Sequence, residues 1–258
     1  MNTLVVDRDG PVAIVTLNRP EVLNALSSAL CRQLCETLAS LDNNETVHAL
    51  ILTGAGDRAF SAGVDLKELE SNPDAIAAIE KYDPVRALKQ CRTPVIGAIN
   101  GVALTGGLEV ALGCDMLIAA SNARFADTHA RVGLLPGWGL SQRLSRLIGV
   151  NRAQQMSLSG NFIDAPTALA WGLVNEMVAP EQLLDRARAL ATDIAGADRA
   201  FIRRYKALID RGFDAPLGAA LEMERQTAWS YNHSVSTGAI KDRRQGVMAR
   251  GRDQKGEG

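Results

Sequence analysis

The chain has 258 residues, 47% of them hydrophobic and 22% charged, a balance ordinary for a soluble globular protein of one large domain, or one domain with an appendage. Twenty-eight Lys and Arg against 29 Asp and Glu leave a formal charge of −1, without the basic excess of a general nucleic-acid or anionic-membrane binder. An aromatic content of 4% leaves little for base stacking. Eight of the 23 glycines fall between Gly97 and Gly139, a first hint of where the chemistry lies.

In chain order, residues 12–17 form a β-rich run after the Asp9-Gly10-Pro11 turn, predicting a hairpin with residues 4–7 that ends at Asn18-Arg19-Pro20. Ser27 caps a helix whose Leu30, Leu34, Leu38 and Leu41 recur every three or four residues. Residues 47–53 read as a short buried strand, and a helix begins at Val64. Residues 75–91 are helical, with a break at Pro84. Residues 94–100 are a strand, 108–113 a short helix, 116–120 a strand and 123–126 a short extended piece. Residues 140–148 are helical, and the next helix is capped at Asn151 and ends near Gly160. Asp164 caps another, with Pro166 in its first turn and Gly172 past its end, before a strand over 173–178. From Pro180 on the pattern is purely helical. Phe201, Tyr205, Leu208 and Ile209 share one helix face, and Leu217, Leu221, Ala228 and Tyr231 share the next. Strand–helix units thus predict a layered α/β core up to about residue 178. The last 18 residues carry six basic and three acidic groups, suited to a solvated terminus or to a phosphate contact.

Absent motifs narrow the chemistry. The chain has no GxxxxGK[ST], no GxGxxG after a strand and no GxSxG elbow. His48, His129 and His233 are far apart and form no HExxH. No cofactor or metal is expected, and any reaction must run on acids, bases and backbone dipoles. The N-terminus lacks the basic-then-apolar order of a leader, and no apolar run approaches membrane-spanning length. Cys31, Cys35, Cys91 and Cys114 form no CxxC pair and read as small buried side chains in a reducing cytoplasm. Cys31 and Cys35, four apart, could share a helix face.

Two segments share a physical design. Ala59-Phe60-Ser61-Ala62-Gly63-Val64-Asp65-Leu66-Lys67 and Asn100-Gly101-Val102-Ala103-Leu104-Thr105-Gly106-Gly107-Leu108-Glu109 each run from strand through a small-residue turn into a helix. A helix start exposes unpaired N–H groups, and small residues admit another molecule to that backbone. Two such N–H groups aimed at one point would form an oxyanion hole for a carbonyl that becomes an enolate. Each segment alone also reads as a tight β–α turn.

Together, these segments resemble the enoyl-CoA hydratase/isomerase (crotonase) superfamily. Leu17-Asn18-Arg19-Pro20-Glu21-Val22-Leu23-Asn24-Ala25-Leu26 matches its opening block, residues 59–66 its first oxyanion segment and 93–109 its second. Residues 123–137, with Leu135-Pro136-Gly137, match the segment bearing the second catalytic group, and 170–174 a later turn. The matches span about residues 12–178; the tail matches only in being helical. The resemblance implies a spiral of repeated ββα units over residues 1–197, with the acyl-CoA site. A helical region over 198–258 would build a homotrimer or a dimer of trimers. The apolar faces at Leu217, Leu221 and Tyr231 are compatible with that. It implies that the N–H groups of Val64 and Gly106 receive the thioester carbonyl of an acyl-CoA, the substrate rather than a cofactor. Lys67 would lie near the CoA phosphates. Ala25, Ala62, Asp65 and Leu66 would line the groove for pantetheine and adenine. Gly107, Pro136 and Gly137 would complete the substrate contacts, Gly107 by letting the substrate approach. Glu21 stands where many relatives have a basic residue.

Glu109 lies two residues past Gly107, in the first turn of its helix, where a carboxylate stabilises the dipole. Its neighbours, Val102-Ala103-Leu104 and Val110-Ala111-Leu112, are apolar, so partial burial would raise its pKa toward useful base strength. The resemblance makes it a catalytic glutamate. The family's second glutamate falls, eight residues before Gly137, on His129. An imidazole can accept one hydrogen bond and donate another, and it titrates near neutral pH; a lone histidine is otherwise a structural residue. Asp127 is either a substitute for it or a solvated or capping aspartate. The expected reaction is hydration of a 2-enoyl-CoA to a 3-hydroxyacyl-CoA, with Glu109 activating the water and His129 orienting it and helping to protonate Cα. The missing glutamate keeps isomerisation or other enolate chemistry open, and a non-catalytic acyl-CoA binder is the rival from another class. Acyl-chain preference would depend on residues 69–82 and Trp138.

Overall fold

Alternating side chains build a sheet buried on both faces. The computed structural model describes residues 2–253. Strands β1 (Leu4–Asp9) and β2 (Val12–Leu17) pair as the expected antiparallel hairpin. Strands β3 (Ala49–Gly54), β5 (Val95–Ile99), β7 (Met116–Ala120) and β10 (Glu176–Val178) then add in parallel, in the order β1-β2-β3-β5-β7-β10. Val12, Ile14, Ile51, Ile96 and Ile118 point to one face, covered by Leu183, Ala187 and Ala191 of α10 (Leu183–Ala195). Val15, Leu17, Leu50, Leu52 and Leu117 point to the other, against α1 (Ser28–Asn43), α4 (Pro84–Gln90) and α5 (Gly106–Gly113). Coverage on both faces is the usual condition of parallel strands.

A second sheet, in the order β4-β6-β8-β9, is made of short strands: β4 (Ala59–Ser61), β6 (Val102–Leu104), β8 (Arg124–Ala126) and β9 (Ile163–Asp164). Chain order therefore repeats a three-step unit of long strand, short strand and helix. β3 and β4 lead to α2 (Leu66–Ser71), β5 and β6 to α5, and β7 and β8 to α6 (His129–Val132). This is the repeated ββα spiral that the sequence resemblance implies.

Several boundaries differ from expectation. β6 and β9 were not foreseen, because two or three residues are too few to show a period. Helix α2 starts at Leu66 rather than Val64, since Val64 is engaged in a single parallel bridge with Leu26 and Asp65 serves as the N-cap, its carboxylate accepting the Glu68 N–H at 3.4 Å. Helix α5 starts at Gly106, two residues earlier than expected. Helix α8 (Val150–Ser159) follows Gly149 directly, so Asn151 lies inside its first turn and does not cap it. The break at Pro84 is present: α3 (Ala75–Lys81) stops, and the Asp83 carboxylate caps α4 by accepting the Arg86 N–H at 2.9 Å. Asp164 caps α9 (Ala165–Trp171) and Gly172 ends it at φ +78°, as expected. Strand β10 is shorter than its predicted run, though Leu173 and Val174 are buried.

The chain divides into two compact units, residues 1–203 and 204–258, and the division falls within α11 (Arg199–Phe213). In the second unit, α12 (Leu217–Asn232) and α13 (Thr237–Asp253) follow. Leu217 and Leu221 are 74% and 57% exposed, and the Arg204 guanidinium covers the Tyr231 ring at 4.7 Å. The phosphate contact considered for the last 18 residues falls partly outside the described residues. No helix among the described residues is long and apolar enough to cross a membrane. None of the four cysteines is in a disulfide, and only Cys35 is not buried.

Candidate active site

The two strand-to-helix turns meet. Gly63 has φ +89°, and a Cβ there would lie 2.9 Å from the Leu104 carbonyl oxygen and 3.1 Å from the Gly106 nitrogen. A Cβ on Gly106 would lie 3.3 Å from the Val64 nitrogen. The amides of Val64 and Gly106 are therefore neighbours, and neither N–H donates to an acceptor among the described residues. The Val64 bridge explains its free amide. Leu26 N–H donates to Gly63 O at 2.7 Å and Asp65 N–H to Leu26 O at 3.0 Å; the Gly63 carbonyl shares a trans peptide unit with the Val64 N–H, so that N–H points away from Leu26. Two converging N–H groups at adjacent turns can receive one oxyanion.

Glu109 is 2% exposed. Its side chain does not serve its own helix start but reaches the beginning of α7 (Leu140–Ile148), where Oε1 accepts the N–H groups of Trp138 at 2.8 Å and Leu140 at 3.2 Å. Burial pushes its pKa above the ordinary glutamate value, and these two hydrogen bonds only partly offset that. With Oε1 anchored, Oε2 is left facing His129 Nε2 at 3.9 Å.

His129 is the first residue of α6, and its other ring nitrogen is fixed: Nδ1 lies 2.7 Å from Asp127 Oδ1, which also accepts the His129 backbone N–H at 3.1 Å. Asp127 is itself 2% exposed. Burial pushes its carboxyl up, but hydrogen bonds from His129 and Ser157 outweigh that and hold it below the ordinary aspartate value. An ionised carboxylate only accepts, so Nδ1 carries the proton of that bond and Nε2 is the face turned to Glu109. Asp127 is thus neither solvated nor a substitute second carboxylate; it stands behind His129.

The remaining residues named from sequence divide into three groups. Ala25 and Ala62 lie on adjacent segments, held by Ala62 N–H donating to Leu23 O at 2.9 Å, with Ala25 buried and Ala62 half-buried. Leu66 and Lys67 are exposed, as is Gly137, and Pro136 is half-buried, so these remain open to a ligand. Asp65 is committed: its carboxylate caps α2 and pairs with Arg19 at 2.9 Å, its N–H donates to Leu26 O at 3.0 Å and its carbonyl accepts the Leu69 N–H at 3.1 Å. Gly107 requires a correction. It is buried, and a Cβ there would overlap the Ser61 carbonyl, so its small size lets α5 pack on β4 rather than letting a ligand approach.

Sequence reasoning missed several supports. Buried Asn24, at φ 55°, accepts the Arg19 N–H at 2.9 Å and donates to the carbonyls of Ala55 and Ala59 at 3.0 and 2.8 Å, fixing the loop beside Ala25. Arg19 donates to Ala25 O at 2.6 Å. The amides of Trp138 and Leu140 carry no residue signature, so no pattern could have marked them. Among the described residues, no three His, Cys, Asp or Glu side chains are grouped as a metal site requires.

The model of a protein family described as enoyl-CoA hydratase/isomerase matches residues 7–249. An Arabidopsis thaliana protein named probable enoyl-CoA hydratase 1, peroxisomal, is 39% identical over 94% of this chain and 91% of its own. The short-chain-enoyl-CoA hydratase of Clostridium acetobutylicum is 37% identical over 94% of this chain and 93% of its own. The crystal structure of an enoyl-CoA hydratase from Bacillus anthracis superposes with a TM-score of 0.86 at 36% identity, covering 98% of this chain and 97% of that one.

Proposed function

Because the chain belongs to the enoyl-CoA hydratase/isomerase family, we propose that it is a hydro-lyase that adds water to a 2-enoyl-CoA to give the 3-hydroxyacyl-CoA, with the CoA thioester as substrate and no further cofactor. The observation that carries this reading is the pair of facing atoms, Glu109 Oε2 and His129 Nε2, 3.9 Å apart, each on a group whose other polar atom is already tied. A water oxygen about 2.8 Å from both fits that spacing.

In the reaction, the Val64 and Gly106 N–H groups polarise the thioester carbonyl. Glu109 takes one proton from the water while its oxygen bonds to Cβ, and His129 Nε2 accepts the water's other hydrogen and so aims it. The double-bond electrons move onto the thioester oxygen, where each N–H donor is worth roughly 2.7–4 kcal/mol. A proton from the Glu109–His129 pair then reaches Cα, the carbonyl reforms, and both groups return to their starting state. The raised pKa of Glu109 suits this proton exchange better than an ordinary carboxylate would.

The reading includes a homotrimer or a dimer of trimers, supported by the exposed apolar side chains Leu217 and Leu221. It includes a cytoplasmic location, supported by four cysteines that are not joined in disulfides. The test is hydration of crotonyl-CoA by purified protein. Glu109→Gln is expected to slow it by about 10²–10⁴-fold, and unchanged turnover would sink the assignment. Product identification from 2-enoyl- and 3-enoyl-CoA separates hydration from isomerisation, and acyl-CoA binding without turnover of either would leave a binding protein.

A further inference from the structure

Thr105, the residue before Gly106, has φ 49° and ψ −112°. Among the described residues, only Leu23 and Asn24 share a positive φ without being glycine, both at φ 55°. The Thr105 conformation is a glycine conformation, and a β-branched residue occupies it only where its surroundings impose it. The surroundings are four hydrogen bonds. Thr105 N–H donates to Ala126 O at 2.9 Å, and its carbonyl accepts the Glu109 N–H at 2.9 Å. Its hydroxyl oxygen accepts the Thr128 N–H at 3.1 Å and lies 2.6 Å from the Thr128 hydroxyl. A threonine before a helix reads as an N-cap, but this side chain makes no capping bond; it reaches instead across to β8's continuation.

The two ends of this link sit next to the two halves of the site. Thr105 immediately precedes Gly106, whose N–H faces the thioester oxygen, and Thr128 immediately precedes His129, whose Nε2 faces the water. We infer that Thr105 is a positioning residue for the hydration proposed above: its hydroxyl, through Thr128, holds the oxyanion turn and the acid–base turn at a fixed separation. A glycine would relax the backbone and lose the link; the threonine keeps the link at the expense of a strained backbone. This assignment rests on the hydration reading. Neither hydroxyl touches the reacting atoms, so its removal acts on kcat through misplacement and leaves the CoA contacts in place.

Four variants separate link, strain and shape: Thr105→Val, which keeps the branched shape; Thr105→Gly, which removes both strain and hydroxyl; Thr105→Ser, which keeps the hydroxyl; and Thr128→Val. With crotonyl-CoA, Thr105→Val, Thr105→Gly and Thr128→Val are expected to lose at least about tenfold in kcat, with KM within about threefold of wild type. Thr105→Ser is expected to stay within about threefold of wild-type kcat. Thr105→Gly should melt no lower than wild type, which keeps the assignment testable even if Thr105→Val folds poorly. The Thr105→Val, Thr128→Val double variant should be about as slow as either single one, because both break the same link. Wild-type kcat in Thr105→Gly, or Thr105→Ser as slow as Thr105→Val, would overturn this assignment alone. An inactive wild type would overturn the hydration reading, and this assignment with it.

Discussion

Glu109 and Asp127 are equally buried, each 2% exposed, and they flank the same imidazole, yet their pKa values move in opposite directions. The Glu109 carboxyl is the more deeply desolvated of the two, and the difference lies also in what they are bonded to. Glu109 spends one oxygen on two backbone amides and turns the other toward His129 at a distance too long for a direct hydrogen bond, so the desolvation penalty dominates. Asp127 takes the His129 ring N–H, the His129 backbone N–H and the Ser157 hydroxyl, and these dominate instead. Two carboxyl groups of equal exposure thus flank one ring with pKa values pushed apart, the pattern that suits the base and anchor roles proposed for them.

The largest test of that contrast beyond Glu109→Gln itself is His129→Ala, for which kcat/KM for crotonyl-CoA is expected to fall about 10²-fold. A loss of only a few-fold would show that Glu109 works nearly alone and that Asp127 anchors nothing of consequence. Asp127→Asn keeps the ring but frees its tautomer, and is expected to cost about tenfold in kcat. In thermal or denaturant unfolding the two carboxylates should differ in sign. The lowered pKa of Asp127 contributes stability that is present above its unfolded value and lost as pH falls through the folded one. Asp127→Asn should therefore lower stability at neutral pH by about 1.5–3 kcal/mol. The raised pKa of Glu109 contributes stability only in acid and loses it as pH rises through the folded value, so ionised Glu109 weighs against the fold at neutral pH. Glu109→Gln should melt higher, by about 0.5–1 kcal/mol at neutral pH. The smallest effect is on the pH profile: the acid limb of kcat/KM should lie above the range of an ordinary glutamate. A limb at or below that range would place the ionising base elsewhere.

Legibility in the sequence followed the length of the pattern. The β1–β2 hairpin, the leucine stripe of α1, the break at Pro84 and the Asp164 cap were all readable, because each repeats a period or carries a residue with one local meaning. β6 was not, since three residues after Gly101 show no period, and its absence from the reading hid the second sheet that brings the two turns together. Glu109 and His129 could be named from the resemblance, but nothing in either segment says that Oε2 of one faces Nε2 of the other. The anchoring of Glu109 was invisible because its donors are main-chain amides at Trp138 and Leu140. Thr105 went unread, because nothing in its local sequence marks a link to a partner 23 residues away. Gly107 was misleading in purpose, since the same absence of a side chain serves ligand approach and helix packing equally well on paper.

The strand order also bears on self-association through the backbone. Strand β3, Ala-Leu-Ile-Leu-Thr-Gly, is buried at every position, and exposed it would be a ready template for another chain. It is held between β2 and β5, and the edges of its sheet fall to β1 and β10. β1 ends in exposed Asp7, Arg8 and Asp9, with Arg188 paired to Asp9 at 3.0 Å, and β10 has three residues. Charged or short edges resist the addition of foreign strands. The β1–β2 hairpin is thus a guard on β3: its detachment would bare one edge of that strand.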